Sequence, residues 1–316
     1  MPATGDELGR RLRDRDLAAA PAVLNLVESR APGHKAEIDA LLHAVSPAAL
    51  GREAPAHVVG VTGPPGVGKS SLLSELVRAW RAQDRSVAVL AVDPSSKRSG
   101  GALLGDRARI AVDPADRAVF MRSMAAGGRI GGLAPATRAA AHALAAAFDV
   151  VVIETVGVGQ SETEIAEVAD TVAVVVQPGG GDVLQFLKSG IMEIPDVLVV
   201  TKADLGQIAQ RSRRDLNAAL RSLGARATKV LAVSSLPPAT GFDELVAALD
   251  GHRASLDIAA RRLASRRASA LADFVAEHGE RGLRALGGQR TALRLLGEQD
   301  AALDVPALTR VLERAA

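Results

Sequence analysis

From residue 57 onward the chain alternates short apolar runs with longer stretches of helical periodicity, and this alternation limits its fold more than any other feature. The runs are residues 57–62, 86–92, 118–121, 149–155, 171–177, 197–201 and 229–233. Each is rich in Val, Ile, Leu or Ala on both faces and is mostly bounded by Asp, Gly or Pro. A strand that is apolar on both faces belongs inside a parallel sheet covered by helices on either side. Right-handed crossovers then carry the carboxyl ends of the strands, with the loops that follow, to one edge of the sheet. The expected fold class is therefore α/β, a mostly parallel sheet with helices on both faces. An N-terminal helical extension is expected over residues 1–52, the sheet domain over 53–250 and a C-terminal helical arm over 251–316. Within the extension, residues 6–50 read as two helices, from Leu17 to Val27 and from Ile38 to Val45, split at Ala31-Pro32-Gly33. The arm reads as two or three amphipathic helices with a break at Gly287-Gly288 and a turn at Asp304-Val305-Pro306. Such an arm either covers the domain or joins two copies of the chain. With only 2% aromatic residues, the core must be built from Ala, Val and Leu.

Between the first run and the helical pattern after it stands Gly63-Pro64-Pro65-Gly66-Val67-Gly68-Lys69-Ser70, a G-x-x-x-x-G-K-S sequence. Strand, glycine loop and helix form the context of a phosphate-binding loop. The glycines let backbone N–H groups turn inward around a phosphate, and the helix N-terminus adds its positive dipole end. In that reading Lys69 reaches the β- and γ-phosphates, and the Ser70 hydroxyl, next to Ser71, holds Mg²⁺. Lysine usage agrees. Of 38 basic side chains only six are lysines: Lys35, Lys69, Lys97, Lys188, Lys202 and Lys229. Four of these fall in or near candidate nucleotide loops, and a compact ammonium is not interchangeable with a guanidinium there.

Three further strand ends carry chemistry. The second run closes at Asp93, placed to orient Mg²⁺ or its waters, and the small-residue loop after it contains a second carboxylate, Asp106. The fourth run closes Val152-Ile153-Glu154-Thr155, putting Glu154 where a metal-shell carboxylate stands in phosphate-loop proteins. Gly157 and Gly159 follow, allowing a loop that shifts when a γ-phosphate leaves, and Gln160 is a candidate to orient the attacking water. The sixth run ends Thr201-Lys202-Ala203-Asp204. The Asp204 carboxylate can accept hydrogen bonds from the N1–H and N2–H₂ edge of guanine, which adenine lacks, while the Lys202 stem packs over the ring. Thr201 stands where an asparagine amide would tie this loop to the phosphate loop, so the tie is expected to be missing and nucleotide affinity to be weaker. Ser234, Ser235 and Leu236, after the last strand, are expected to complete the base pocket through backbone N–H groups.

Composition narrows the partners. A formal charge of +2 does not support nucleic-acid binding, and the Arg261-Arg262 and Arg266-Arg267 pairs read as a solvated helix face. The absence of cysteine excludes disulfides, thiolate metal sites and a catalytic thiol. No run of 18 apolar residues is present, and residues 1–15 carry no apolar signal core, so a cytoplasmic protein without membrane association is expected.

Residues 61–70, 91–106, 152–162 and 179–193, taken in order, closely resemble the MeaB/ArgK family of GTPases that chaperone adenosylcobalamin-dependent methylmalonyl-CoA mutase. The likeness runs from about residue 10 to 250 and includes Leu24-Asn25-Leu26-Val27-Glu28-Ser29-Arg30. It implies Mg²⁺-dependent GTP hydrolysis, slow alone and faster with the mutase, on a homodimer built partly through the C-terminal helices. It places Lys69 and Ser70 at the phosphates and Mg²⁺, Asp93, Asp106 and Glu154 around the metal, and Lys202 and Asp204 at guanine. The chain departs from the family pattern at Thr201, in the loop Met121-Arg122-Ser123-Met124-Ala125-Ala126-Gly127-Gly128, and in its C-terminal helices. Three other readings share the nucleotide fold. A nickel-type metallochaperone GTPase calls for a Cys or His cluster, whereas this chain has no Cys and scattered His. A kinase needs an acceptor pocket, and no residues mark one. A nucleotide-dependent scaffold with negligible turnover differs only in rate.

Overall fold

The computed structural model describes residues 3–29, 31, 33–93, 110–125, 133–155, 161–179, 195–225 and 227–316. Seven strands form one sheet: β1 (His57–Thr62), β2 (Val87–Asp93), β3 (Val119–Ala125), β4 (Val150–Thr155), β5 (Thr171–Val176), β6 (Val197–Val200) and β7 (Lys229–Ala232). Their order is β3-β2-β4-β1-β5-β6-β7, and every pairing is parallel. All seven overlap the runs read from the sequence, but β3 continues to Ala125, four residues past the run at 118–121 and into the stretch read as a loop. β1 lies between β4 and β5, with Val61 opposite Glu154 and Thr62 opposite Val174. Every residue of β1, β4 and β5 is buried, which is why these strands show no polar alternation.

The helices are α1 (Gly5–Arg13), α2 (Ala20–Val27), α3 (His34–Ala44), α4 (Pro47–Leu50), α5 (Lys69–Arg81), α6 (Pro135–Leu144) and α7 (Ser161–Val168). They continue with α8 (Gln207–Ser222), α9 (Phe242–Ala254), α10 (Ile258–Ala285), α11 (Gln289–Gly297) and α12 (Val305–Ala315). Where two helices were expected before residue 50, the single turn α4 is an additional one and so is α1. Its polar sequence GDELGRRLR buries only Leu8, Leu12 and two glycines, too thin an apolar stripe to read as a core helix. Thr4 caps it through a hydrogen bond from the Glu7 N–H.

The chain divides into two compact units that interleave along the sequence. One comprises residues 57–133 and 150–256, and the other comprises 1–56, 134–149 and 257–316. The helical unit thus joins the segments read as an extension and an arm, and it takes α6 from inside the stretch read as the sheet domain.

The sheet unit packs Val59, Val61, Leu72, Leu76, Trp80 and Val152 into one cluster, with Val175, Val199 and Leu245 among its other members. The core of the helical unit holds Phe274, Leu296, Leu308 and Leu312. One arginine of each pair on α10 departs from the expected solvated face, while Arg261 and Arg267 stay partly exposed. Arg262 and Arg266 are 5% and 6% exposed. Arg262 donates to the Ala56 carbonyl at 2.8 Å. Arg266 grips both oxygens of Glu53 at 2.7 and 2.9 Å. A bidentate carboxylate contact and a buried carbonyl satisfy guanidinium groups that would be costly to bury alone.

Candidate nucleotide-binding site

The carboxyl edge of the sheet gathers the phosphate loop between β1 and α5, the end of β4, and the loops after β6 and β7. α5 begins at Lys69, with Gly68 as its N-cap at φ +98°, a conformation that strains any L side chain. A Cβ at Gly63 would stand 2.2 Å from the Val175 carbonyl oxygen, so the loop passes β5 at a distance only glycine permits. Pro65 and Gly66 are exposed at the crest of the loop, Pro64, Gly68 and Ser70 are half-buried, Ser71 is exposed, and Val67 is buried beneath.

Lys69 is almost fully buried and donates from Nζ to the Gly63 and Pro64 carbonyls at 2.8 and 3.0 Å. It folds the loop over its own ammonium. Neutral carbonyls are modest acceptors, and an anionic phosphate oxygen outcompetes them for the same protons. Glu154 is 1% exposed and places Oε1 4.0 Å from Lys69 Nζ. Asp93 ends β2 next to β4, since Ala91 pairs with Glu154 and Val92 with Thr155. Ser70 and Glu154 carry hard oxygen donors of the kind Mg²⁺ prefers, and the β2 backbone ends at Asp93 on the same sheet edge. Two hydroxyls at the carboxyl ends of β1 and β4, on Thr62 and Thr155, are buried and have no hydrogen-bond partner among the described residues. Orphaned polar atoms at the foot of a phosphate loop fit a site that receives water or an ion. Asp106, Gly157 and Gln160 lie outside the described residues.

The loops on the base side are interlocked. The Thr201 hydroxyl donates to the Val67 carbonyl at 2.7 Å and lies 3.2 Å from the Val176 carbonyl. The tie expected to be lost with the asparagine is therefore present, made by a shorter side chain. Lys202 adopts φ +55° and ψ +43°, uncommon for a side chain of this kind, and donates Nζ to Gln177 Oε1 at 2.5 Å. Asp204 is exposed, with Oδ1 held by the Ser234 hydroxyl at 2.8 Å. The Ala203 N–H donates to the Val233 carbonyl at 2.9 Å. Ser234 contributes through its side chain rather than its amide. Its N–H is spent on Thr240 at 3.1 Å, and the Leu236 N–H is spent on the Ser234 hydroxyl at 3.3 Å. Ser235 follows, half-buried, and Leu236 stands 62% exposed beside this loop.

The sequence reading missed Thr62, Thr155 and Gln177. Gln177 carried a usable signal, being the polar residue that closes an apolar run beside Pro178-Gly179.

The family profile described as "Methylmalonyl Co-A mutase-associated GTPase MeaB" matches residues 20–283. A protein of Pyrococcus abyssi named as a GTPase is 40% identical over 270 residues, covering 83% of this chain and 80% of the relative. The Escherichia coli GTPase ArgK is 41% identical over 203 residues, 64% of this chain and 60% of that protein. A solved structure described as an LAO/AO transport system kinase superposes with a TM-score of 0.67 at 28% identity, covering 99% of this chain and 98% of that one.

Proposed function

We propose, for a chain that belongs to the MeaB family of methylmalonyl-CoA mutase-associated GTPases, Mg²⁺-dependent hydrolysis of GTP that gates an adenosylcobalamin-dependent acyl-CoA mutase. The observation that carries the guanine reading is the Asp204 carboxylate, fixed by Ser234 on a loop that Thr201 rivets to the phosphate loop. A base site coupled in this way to a phosphate site reads the base and the phosphates as one ligand. Lys69 binds and orients the β- and γ-phosphates, and the α5 N-terminus adds backbone N–H groups and its dipole. Ser70, Asp93, Glu154 and Asp106 are the residues that would hold Mg²⁺, which when bound would neutralise the charge developing on the phosphates. Gln160 is assigned to position the attacking water. Residues 94–109 and 156–167 are assigned to respond to the γ-phosphate, passing its presence or loss to the mutase.

Among the described residues no helix is long and apolar enough to cross a membrane. A cytoplasmic homodimer without nucleic-acid or membrane partners accompanies the proposal. The test is turnover of GTP against ATP by the purified chain, alone and with an adenosylcobalamin-dependent acyl-CoA mutase. GTP-selective turnover that rises with the mutase is the expected result. Equal use of ATP overturns the Asp204 assignment, and turnover indifferent to methylmalonyl-CoA mutase and related mutases overturns the gating role.

A further inference from the structure

The helical unit contains a cleft of about 360 Å³, walled by α2, α3, α6, α10 and α12, that takes no part in the nucleotide site. Small-molecule sites fall in this size range, with apolar walls and a few convergent polar groups. Val27, Ile38, Leu42, Pro135 and Ala139 supply apolar lining.

The charged lining is unbalanced. Four carboxylates, Asp39, Asp273, Glu277 and Glu313, face the cleft with two cations, Lys35 and Arg310, and Arg138 behind Asp273 makes a third, leaving one carboxylate in excess. Arg310 holds Asp39 at 2.8 Å, Lys35 holds Glu277 at 2.8 Å, and Arg138 holds Asp273 at 2.6 Å. Glu313 is left with looser contacts. The nearest basic nitrogens, Lys35 Nζ and His278 Nε2, are both 3.8 Å away, although its side chain is only 28% exposed. The acids also act on one another. Burial raises the Asp39 carboxyl, and Asp304 and Glu313 add to that against Arg310 and Lys35. Burial likewise raises Asp273, with Glu277 adding to it against Arg138. An anion entering this cleft meets surplus negative charge, and a neutral apolar molecule leaves that surplus uncompensated. A cation with an aliphatic body matches both halves of the lining.

We propose that this cleft binds a small aliphatic ammonium compound, its chain against Val27, Ile38, Leu42 and Ala139 and its charged head against Glu313 and Asp39. The site is independent of the guanine assignment, and its test needs no turnover. The full chain is titrated calorimetrically with hexylamine, hexanol and hexanoate, which share a chain and differ in charge. Saturable binding of hexylamine, about tenfold or more tighter than either of the others, is expected. Glu313→Gln should weaken hexylamine about fivefold, the order of a single partly exposed ion pair, and Ala139→Phe should abolish binding by filling the cleft. Equal affinity for all three probes would mean apolar filling alone and would overturn the proposal. So would the lack of a saturable hexylamine isotherm, or an unchanged one with Glu313→Gln. Should Ala139→Phe fail to fold, Glu313→Gln and the hexanoate comparison decide the matter. An affinity that falls as protein concentration rises would mean that a second copy closes the cleft, and it too would overturn the proposal.

Discussion

Replacing Thr201 with valine removes one hydroxyl with little change of shape and cuts the link between the base loop and the phosphate loop. The hydroxyl lies 2.7 Å from the Val67 carbonyl and 3.2 Å from the Val176 carbonyl. It has one proton, so the shorter contact is the bond. The Val176 carbonyl keeps the Thr201 backbone N–H at 2.9 Å in the variant. The Val67 carbonyl loses its hydroxyl partner at a site where Thr201 and Val67 are each 3% exposed, leaving little room for water to substitute. A buried hydrogen bond contributes about 1 kcal/mol net, and orphaning a buried acceptor raises the cost toward about 2 kcal/mol. Thr201→Val should therefore lower the unfolding free energy by about 1–2 kcal/mol, read from urea midpoints at constant m-value. If the tie also holds the two loops in register, GTP affinity should fall by about five- to thirtyfold, since each 1.4 kcal/mol is a factor of about ten. Thr201→Ser, which keeps the hydroxyl, should restore most of both. A Thr201→Val protein with the parental midpoint and the parental GTP affinity would refute the reasoning, because the rivet would then hold nothing.

Other perturbations follow from the same geometry. Glu154→Gln removes the buried carboxylate beside Lys69 and should cut Mg²⁺-dependent GTP turnover by on the order of 10²-fold in kcat, with chelation of Mg²⁺ lowering the parent to a similar level. Gly63→Ala drives a Cβ to 2.2 Å from the Val175 carbonyl oxygen and should cost more than about 3 kcal/mol, seen as a large loss of urea midpoint or of soluble protein. His57, fully buried at the start of β1, is pushed below the ordinary histidine value of 6.5 by burial, against the upward pull of Asp250 and Asp170. The unfolded chain then binds a proton that the folded chain refuses, so this contribution is intact above pH 6.5 and is lost as pH falls below it, at up to about 1.4 kcal/mol per pH unit. Urea midpoints at pH 7.5 and 5.5 should differ in that sense, and the difference should shrink in His57→Gln. Asp39 and Asp273, raised above 3.8 by burial, act with the opposite sign. They favour the folded state at low pH and lose that contribution as pH rises through their folded values.

All seven strands, the phosphate loop and the break at Gly287-Gly288 were legible in the sequence because each depends on neighbouring residues. Two-faced apolar runs, glycine conformations and the strand-loop-helix order are properties of a short window, and they persist wherever the rest of the chain goes. Glu154 and Asp93 could be placed at the carboxyl edge of the sheet for the same reason, as polar residues ending apolar strands of a parallel sheet. What the sequence alone could not decide depends on pairs far apart in the chain. The Thr201–Val67 bond joins residues 134 positions apart, so nothing local distinguishes a threonine that loses the tie from one that makes it. Arg262 and Arg266 look like solvated charge until Ala56 and Glu53, more than 200 residues earlier, arrive to satisfy them. Lys35, Asp39, Asp273 and Glu313 come from three helices at opposite ends of the sequence, and only their packing makes one cleft of them. Local periodicity therefore set the elements and the phosphate chemistry, while tertiary packing decided which polar groups are buried, which are paired and which are left to bind something else.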